Sequence, residues 1–402
     1  MTDPLARAFA DEWGRVVAAL VRVTGDWALA EDCAQDAFAV AAVAWPRDGV
    51  PDRPGAWLTT TARNRALDRL RRSAVEARKL EEVVAVVHEE ERREPDDVPD
   101  DRLRLIFTCC HPALDLDARV ALTLRTLCGL TVAEIAAAFG AREAAMAKRL
   151  VRARRKIQVA GIPYRVPSGA ALPERLDGVL AVLLLLFTEG YAPSGGDRVV
   201  RPELSSEAIR LTRVLAALLP GEPEVGGLLA LELLQDSRRA ARTTGEGALV
   251  PLAEQDRTLW DAARIAEGRA VLAAVDRAPG PVGAHRLQAR IAAEHARGPE
   301  ADRNAIAQHW AALAEVTPSP WVELARAVAV AEADGPDAGL ALLAPLAGDV
   351  RLGHQLPATE AELLRRAGRR EDARRAYGAA LAQVRNAAER AHLQRRLAEL
   401  AG

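Results

Sequence analysis

The sequence is short of aromatic residues, long apolar runs and cysteine, and each shortage narrows what the chain can be. Phe, Trp and Tyr make up only 4% of the 402 residues. A core must therefore be filled by Ala, Leu and Val, which suits closely packed helices. The longest apolar run, Val179 to Phe187, reaches about half the length of a bilayer span. It is expected as a buried helix, with no membrane partner. The first residues, MTDPLARAFADEW, are polar and lack the apolar segment of a signal peptide. Four cysteines in so long a chain do not make a disulfide framework, and a reducing cytoplasm is the expected setting. A net charge of −2 excludes a polycation, so any nucleic-acid contact must come from local patches.

What is present is helical periodicity. The central stretch is Gly129 to Ile157, GLTVAEIAAAFGAREAAMAKRLVRARRKI. Thr131 is a suitable N-cap, and Val132, Ile135, Ala136 and Phe139 share one helical face. Gly140 is expected as the turn. A second helix follows over about 142–157, with Met146, Leu150, Ala153 and Ile157 on its buried stripe. Its outward side carries Arg142, Lys148, Arg149, Arg152, Arg154, Arg155 and Lys156 against Glu143 alone. Two short helices joined by a Gly-containing turn match the helix-turn-helix pattern, whose second helix enters the major groove. Seven positive charges there suit a phosphate backbone.

Upstream, residues 28–45 read as a helix with Leu29, Cys33, Ala37 and Val40 on one face and Glu31, Asp32, Gln35 and Asp36 on others. The loop 46–55 follows, broken by three prolines and two glycines. A basic helix is predicted over 56–72, with Trp57, Leu58, Ala62, Ala66, Leu67 and Leu70 at apolar spacing. Its arginines are Arg63, Arg65, Arg69, Arg71 and Arg72, against Asp68. Residues 76–101 reverse the sign, with eleven acidic residues against four basic, and the part beyond 88 is expected as an acidic linker.

The segments AEDCAQDAF, PGAWLTTTARNRALDRLRR and AKRLVRARRKI, in this order and around an acidic linker, resemble the two domains of extracytoplasmic-function (ECF) sigma factors of the sigma-70 family. The resemblance implies that Glu31, Asp32, Gln35, Asp36 and Phe38 dock on the β′ coiled coil of core RNA polymerase. Arg63, Asn64, Arg65, Arg69, Arg71 and Arg72 would lie against the −10 element. Arginine there clamps phosphates or reads guanine edges, while Asn64 stands open between reading adenine and an internal hydrogen bond. Trp57 is open between stacking on an unpaired base and the core, and the loop 46–55 is the expected holder of a flipped base. Arg142, Ala145, Lys148, Arg149 and Arg152 would face the −35 groove, and another surface of that domain would meet the β flap. Ala145 and Ala147 depart from the polar residues usual at early helix positions, leaving contact to a thymine methyl.

Cys109, Cys110, His111 and Cys128 raise a zinc site, but adjacent cysteines rarely ligate one tetrahedral ion and buried packing is expected instead. Beyond 162 the pattern stays helical: 172–191, then the turn EGYAPSGGD, then 203–219, 226–241 and 255–272 with Trp260 buried. That glycine-rich turn lacks the Lys of a phosphate loop. Two hairpins of tetratricopeptide (TPR) type close the chain, with Gly335 and Gly368 separated by 33 residues and Asp337 and Asp372 by 35. A degenerate hairpin is expected over 286–315 and a capping helix over 386–400. Segments such as RPELSSEAIRLTRVL and PSPWVELARAVAV resemble the C-terminal extension of one ECF subgroup.

The expected fold is all-α: two small sigma domains (5–75 and 102–160) joined by an acidic linker (76–101), then helices over 170–285 and TPR-like repeats over 286–402. The expected function is promoter recognition and transcription initiation with core polymerase, the tail regulating in cis and offering its repeats to a protein partner. No catalysis, cofactor or metal is expected. The alternative is a helix-turn-helix regulator with a helical sensor or scaffold domain, binding DNA without polymerase.

Overall fold

The computed structural model describes residues 4–72, 101–139, 141–167, 171–191, 202–244, 250–384 and 387–400. Every regular element among them is helical. The acidic linker, the turn residue Gly140 and most of the EGYAPSGGD turn lie outside the described residues. The chain packs as two units, residues 1–182 and 183–402, a coarser division than the five segments expected.

In the first unit, α1 (Pro4–Thr24), α2 (Trp27–Asp48) and α3 (Pro54–Arg72) form a three-helix bundle. Trp13, Val16, Val17 and Leu20 recur at helical spacing on α1 and are all buried. Asp26 caps α2, its carboxylate accepting from the Ala28 and Leu29 N–H groups. One expectation fails here: Pro46 does not stop α2, which runs on to Asp48. Proline lacks a donor, yet in a last turn the loss is confined to one backbone bond, and the Gly49 N–H closes the end on Trp45 O. The connecting loop is thus 49–53, and α3 opens on Pro54, where a missing N–H costs nothing.

Then come α4 (Asp101–Cys109), α5 (Leu116–Thr126), α6 (Val132–Ala138) and α7 (Glu143–Val159). The apolar helix α8 (Ala171–Tyr191) contains the boundary between the units.

The second unit holds α9 (Pro202–Leu218), α10 (Pro223–Asp236), α11 (Ala262–Val275), α12 (Ala284–His295) and α13 (Arg303–Val316), followed by α14 (Pro320–Asp334), α15 (Pro336–Leu343), α16 (Gln355–Arg366), α17 (Arg370–Gln383) and α18 (Ala387–Glu399). Helix α10 is buried all round, from Val225 through Leu234. A side chain at Gly227 would lie 2.8 Å from the Arg286 backbone N, so glycine there lets α12 approach. The Glu224 carboxylate accepts from the N–H groups of Gly283 (3.0 Å) and His285 (2.8 Å), capping α12 from across the pair. The last hairpins open at Pro320 and Gln355, and their second helices at Pro336 and Arg370, with left-handed Gly335 and Gly368 in the turns. Tyr377, Leu364 and Ala380 form part of their core.

Candidate nucleic-acid interface

The start of α6 is fixed by a reciprocal pair. Thr131 Oγ1 accepts from the Glu134 N–H at 3.2 Å, and Glu134 Oε2 accepts from the Thr131 N–H at 2.7 Å. Helix α7 buries Met146, Leu150, Ala153 and Ile157, the stripe its spacing predicts. With that stripe inside, Arg142, Ala145, Lys148, Arg152, Arg155 and Lys156 stand exposed on the opposite side. Arg149 differs, being half-buried, 3.3 Å from an Asp117 oxygen and stacked 5.7 Å over the Phe139 ring. Arg154 corrects the expectation of seven outward charges: it turns inward and pairs with Glu31.

On α3, Asn64 and Arg65 are exposed and Arg63 is half-buried. Arg69 reaches back to α2, donating to Asp36 at 2.7 Å and Asp32 at 3.4 Å. Arg71 lies 3.8 Å from Asp68, and the Arg72 side chain lies outside the described residues. Trp57 is half-buried and meets Trp45 edge-on, with ring centroids 5.8 Å apart.

The acidic helix α2 splits into two groups. Asp32 and Gln35 are exposed and Asp36 is half-buried. Glu31 is 2% exposed and sits where α5 and α7 meet the first bundle. Its carboxylate accepts from Arg125 Nε at 2.9 Å and Thr126 Oγ1 at 3.3 Å, and pairs with Arg154. A buried carboxylate is tolerable only with such partners. Around it, Trp13 Nε1 donates to Thr126 O at 3.1 Å, Arg22 pairs with Asp101 at 2.8 Å, and Tyr164 Oη donates to Ala18 O at 2.9 Å. Gly129, at φ 73°, has the Phe9 ring 2.7 Å from where a Cβ would sit, so the turn and α1 touch closely. Phe38, expected among the docking residues as an apolar anchor, is packed in the core: it is 6% exposed, its ring 5.0 Å from Phe9 and 5.9 Å from Trp13. An aromatic ring on the face of α2 that meets α1 is removed from water by that packing.

Spacing along one helix could not have shown the Glu31 cluster, because Arg125 and Arg154 come from 94 and 123 residues away. All four cysteines are buried free thiols. Burial pushes Cys33 and Cys110 up to about 11 and Cys109 well above its ordinary value. They pack rather than react.

Family models match three stretches of this chain: Sigma-70 region 2 over residues 10–75, Sigma-70 region 4 over 104–157, and a family of unknown function (DUF6596) over 175–276. An uncharacterized protein of Rhizobium meliloti (strain 1021) is 40% identical over 398 residues, which is 96% of this chain and 93% of that protein. The probable ECF RNA polymerase sigma factor SigI of Mycobacterium tuberculosis is 27% identical over 262 residues, 58% of this chain and 89% of that protein. No solved structure matches. No helix among the described residues is long and apolar enough to cross a membrane. Two sigma regions in the order the exposed arginines and the helix-turn-helix require, and a full-length relative, lead to one assignment: the chain belongs to the sigma-70 family, as an ECF-like sigma factor whose C-terminal extension is of the DUF6596 family.

Proposed function

We propose that this sigma factor acts in the cytoplasm, binding core RNA polymerase and directing it to promoters with separate −35 and −10 boxes. One observation carries the reading. The apolar stripe of α7 is locked inside, so Arg142, Ala145, Lys148 and Arg152 are held together on the free face of a helix-turn-helix. They, with Arg149, meet the −35 groove, where Ala145 touches a thymine methyl and the cations grip phosphates and guanine edges. Arg63, Asn64, Arg65, Arg69, Arg71 and Arg72 of α3 lie against the −10 element.

Asp32, Gln35 and Asp36 form the exposed part of a face for the β′ coiled coil, and region 4 meets the β flap. Glu31 joins that face only when Arg125 and Arg154 let go of it, so docking through Glu31 requires the two sigma regions to part. Phe38 serves the face from beneath, by fixing α2 on α1. The extension regulates in cis, and its TPR-like hairpins offer a surface to a protein partner. A helix-turn-helix regulator acting without polymerase is the second reading, but it leaves α3 and the acidic α2 without a role.

Gel filtration of the chain with core polymerase, then run-off transcription from a genomic promoter library, tests the proposal. Co-elution and start sites sharing two spaced boxes are expected. DNA binding with no association to core would sink it. A chain ending at residue 191, which keeps α8 whole, should differ from the full chain in promoter-directed output. Equal output would count against regulation by the extension.

A further inference from the structure

The second unit contains a run of cations and aromatic rings that promoter recognition does not use. Arg242 stacks 3.8 Å over the Tyr191 ring, and Arg238 lies 5.7 Å from that same ring. Arg238 is also 5.8 Å from the Trp260 ring, on which Arg257 stacks at 4.6 Å. The order is therefore Arg242, Tyr191, Arg238, Trp260, Arg257: three guanidinium groups alternating with two rings. No carboxylate among the described residues pairs with any of the three. The nearby acids are engaged elsewhere: Asp236 by Ser205, Arg239 and Arg264, Glu294 by Arg297, and Asp256 by Thr258.

Arg238 and Arg242 are half-buried and Arg257 is exposed; withdrawing the first two from water without a counter-charge is unfavourable, and ring faces offset only part of the lost hydration. The strain shows in the neighbours. Burial, together with Arg242 and Arg257, lowers the pKa of Arg238, and burial with Arg238 and Arg257 pushes His295 down to about 4. Moreover, three buried donors make no hydrogen bond among the described residues: Tyr191 Oη, Arg242 Nε and Trp260 Nε1. Trp260 itself is 8% exposed. Unused donors and uncompensated positive charge in one place are what an oxyanion requires.

Beside them lies a hollow of about 210 Å³. Tyr191 and Gln235 line it, and Gln235 is the residue that receives the Arg238 hydrogen bond, so hollow and cations share a wall. The rest is mostly apolar, including Leu184, Phe187, Leu231, Ile291 and Trp310. It is smaller than the pockets that hold drug-sized molecules, so the body it admits is small.

We infer that this is a binding site for a small organic acid, its carboxylate held by Arg238, Arg242 and the Trp260 and Tyr191 donors and its apolar body in the hollow. The five residues of the run all lie within the segment matching the family of unknown function. The site is an effector site of the extension, and it stands whether or not the promoter reading does.

Benzoate is the probe, titrated calorimetrically into the full-length chain at constant ionic strength, with chloride as blank and inorganic phosphate as the second arm. One benzoate per chain is expected, with Arg242→Gln weakening it about tenfold or more. Trp260→Phe and Tyr191→Phe, which keep the rings and remove one donor each, should weaken it several-fold. Ligand-free Arg242→Gln should melt no lower than the parent, because it relieves repulsion among the cations. The proposal is overturned if benzoate does not bind, if phosphate alone binds, or if affinity ignores all three variants. A lower melting temperature of Arg242→Gln with unchanged benzoate affinity would also overturn it, assigning the cluster a purely structural role.

Discussion

The two basic helices of the first unit look alike in sequence and differ in what surrounds them. On α3, Arg69 is met by Asp36 and Asp32 of the neighbouring helix, and Arg71 lies near Asp68. On α7, Arg142, Lys148, Arg152, Arg155 and Lys156 hold no ion pair among the described residues, while Arg154 is drawn into the Glu31 cluster. Counting cations along a helix therefore overstates the charge available to DNA, and by different routes. Acids on an adjacent helix temper α3 at its surface, whereas α7 loses one cation to the interior and keeps the rest exposed.

The sharpest way to break this contrast is at Glu31. Its partners Arg125 and Arg154 have side chains only 15% and 20% exposed. Glu31→Ala would leave two cations part-buried and unpaired, which costs about 3 kcal/mol for a buried pair. Urea denaturation should show a loss of that order, and hydrogen exchange should rise on α2, α5 and α7, which the cluster joins. Were stability to change by less than about 0.5 kcal/mol, the level of an ordinary surface substitution, Glu31 would not join the two sigma regions.

Next in size is the difference between the DNA-facing arginines. Arg152→Ala should weaken binding to a −35 duplex several-fold and reduce the slope of log affinity against log salt by about 1, the signature of one lost phosphate contact. Arg69→Ala should change affinity for a −10 fragment less, because Asp32 and Asp36 already balance that charge. Equal losses at the two positions, measured by fluorescence anisotropy over a salt series, would erase the contrast.

Much of this is legible in the sequence, and the reason is local. Thr131 with Glu134 three residues on, and Met146, Leu150, Ala153 and Ile157 at helical intervals, are patterns that 3.6 residues per turn converts directly into a cap and a buried face. Spacing says which face of a helix turns inward, not what it turns toward. Hence Glu31 read as one more acidic surface residue and Arg154 as one more surface cation, although each is the other's partner across 123 residues. Pro46 misled for a different reason: proline forbids a helix interior, and the rule says little about a last turn. The cationic run in the extension was invisible because Tyr191, Arg238, Arg242, Arg257 and Trp260 follow no common period. Only the packing of three separate segments brings them together.

A smaller effect concerns the cap. Thr131→Ala removes the hydroxyl that accepts the Glu134 N–H and should cost about 1 kcal/mol. The loss should appear as lower thermal stability of region 4 and weaker −35 binding in the same proportion, with the −10 contact unaffected. A change in −10 affinity of equal size would mean that α6 supports the whole unit and not the helix-turn-helix alone.

The smallest expected change tests the contrast from the opposite side. Asp117 lies 3.3 Å from Arg149, with side chains 59% and 33% exposed, so the pair contributes about 0–1 kcal/mol to stability. Asp117→Asn should leave the melting temperature nearly unchanged yet return one cation to the face of α7. Binding of the −35 duplex should then strengthen slightly, with the salt slope steeper by a fraction of one contact. Because Arg149 also rests on the Phe139 ring, the substitution frees its charge without freeing its position. A gain in affinity that persists at high salt would locate Arg149 against a base edge, and one that vanishes would locate it against phosphate.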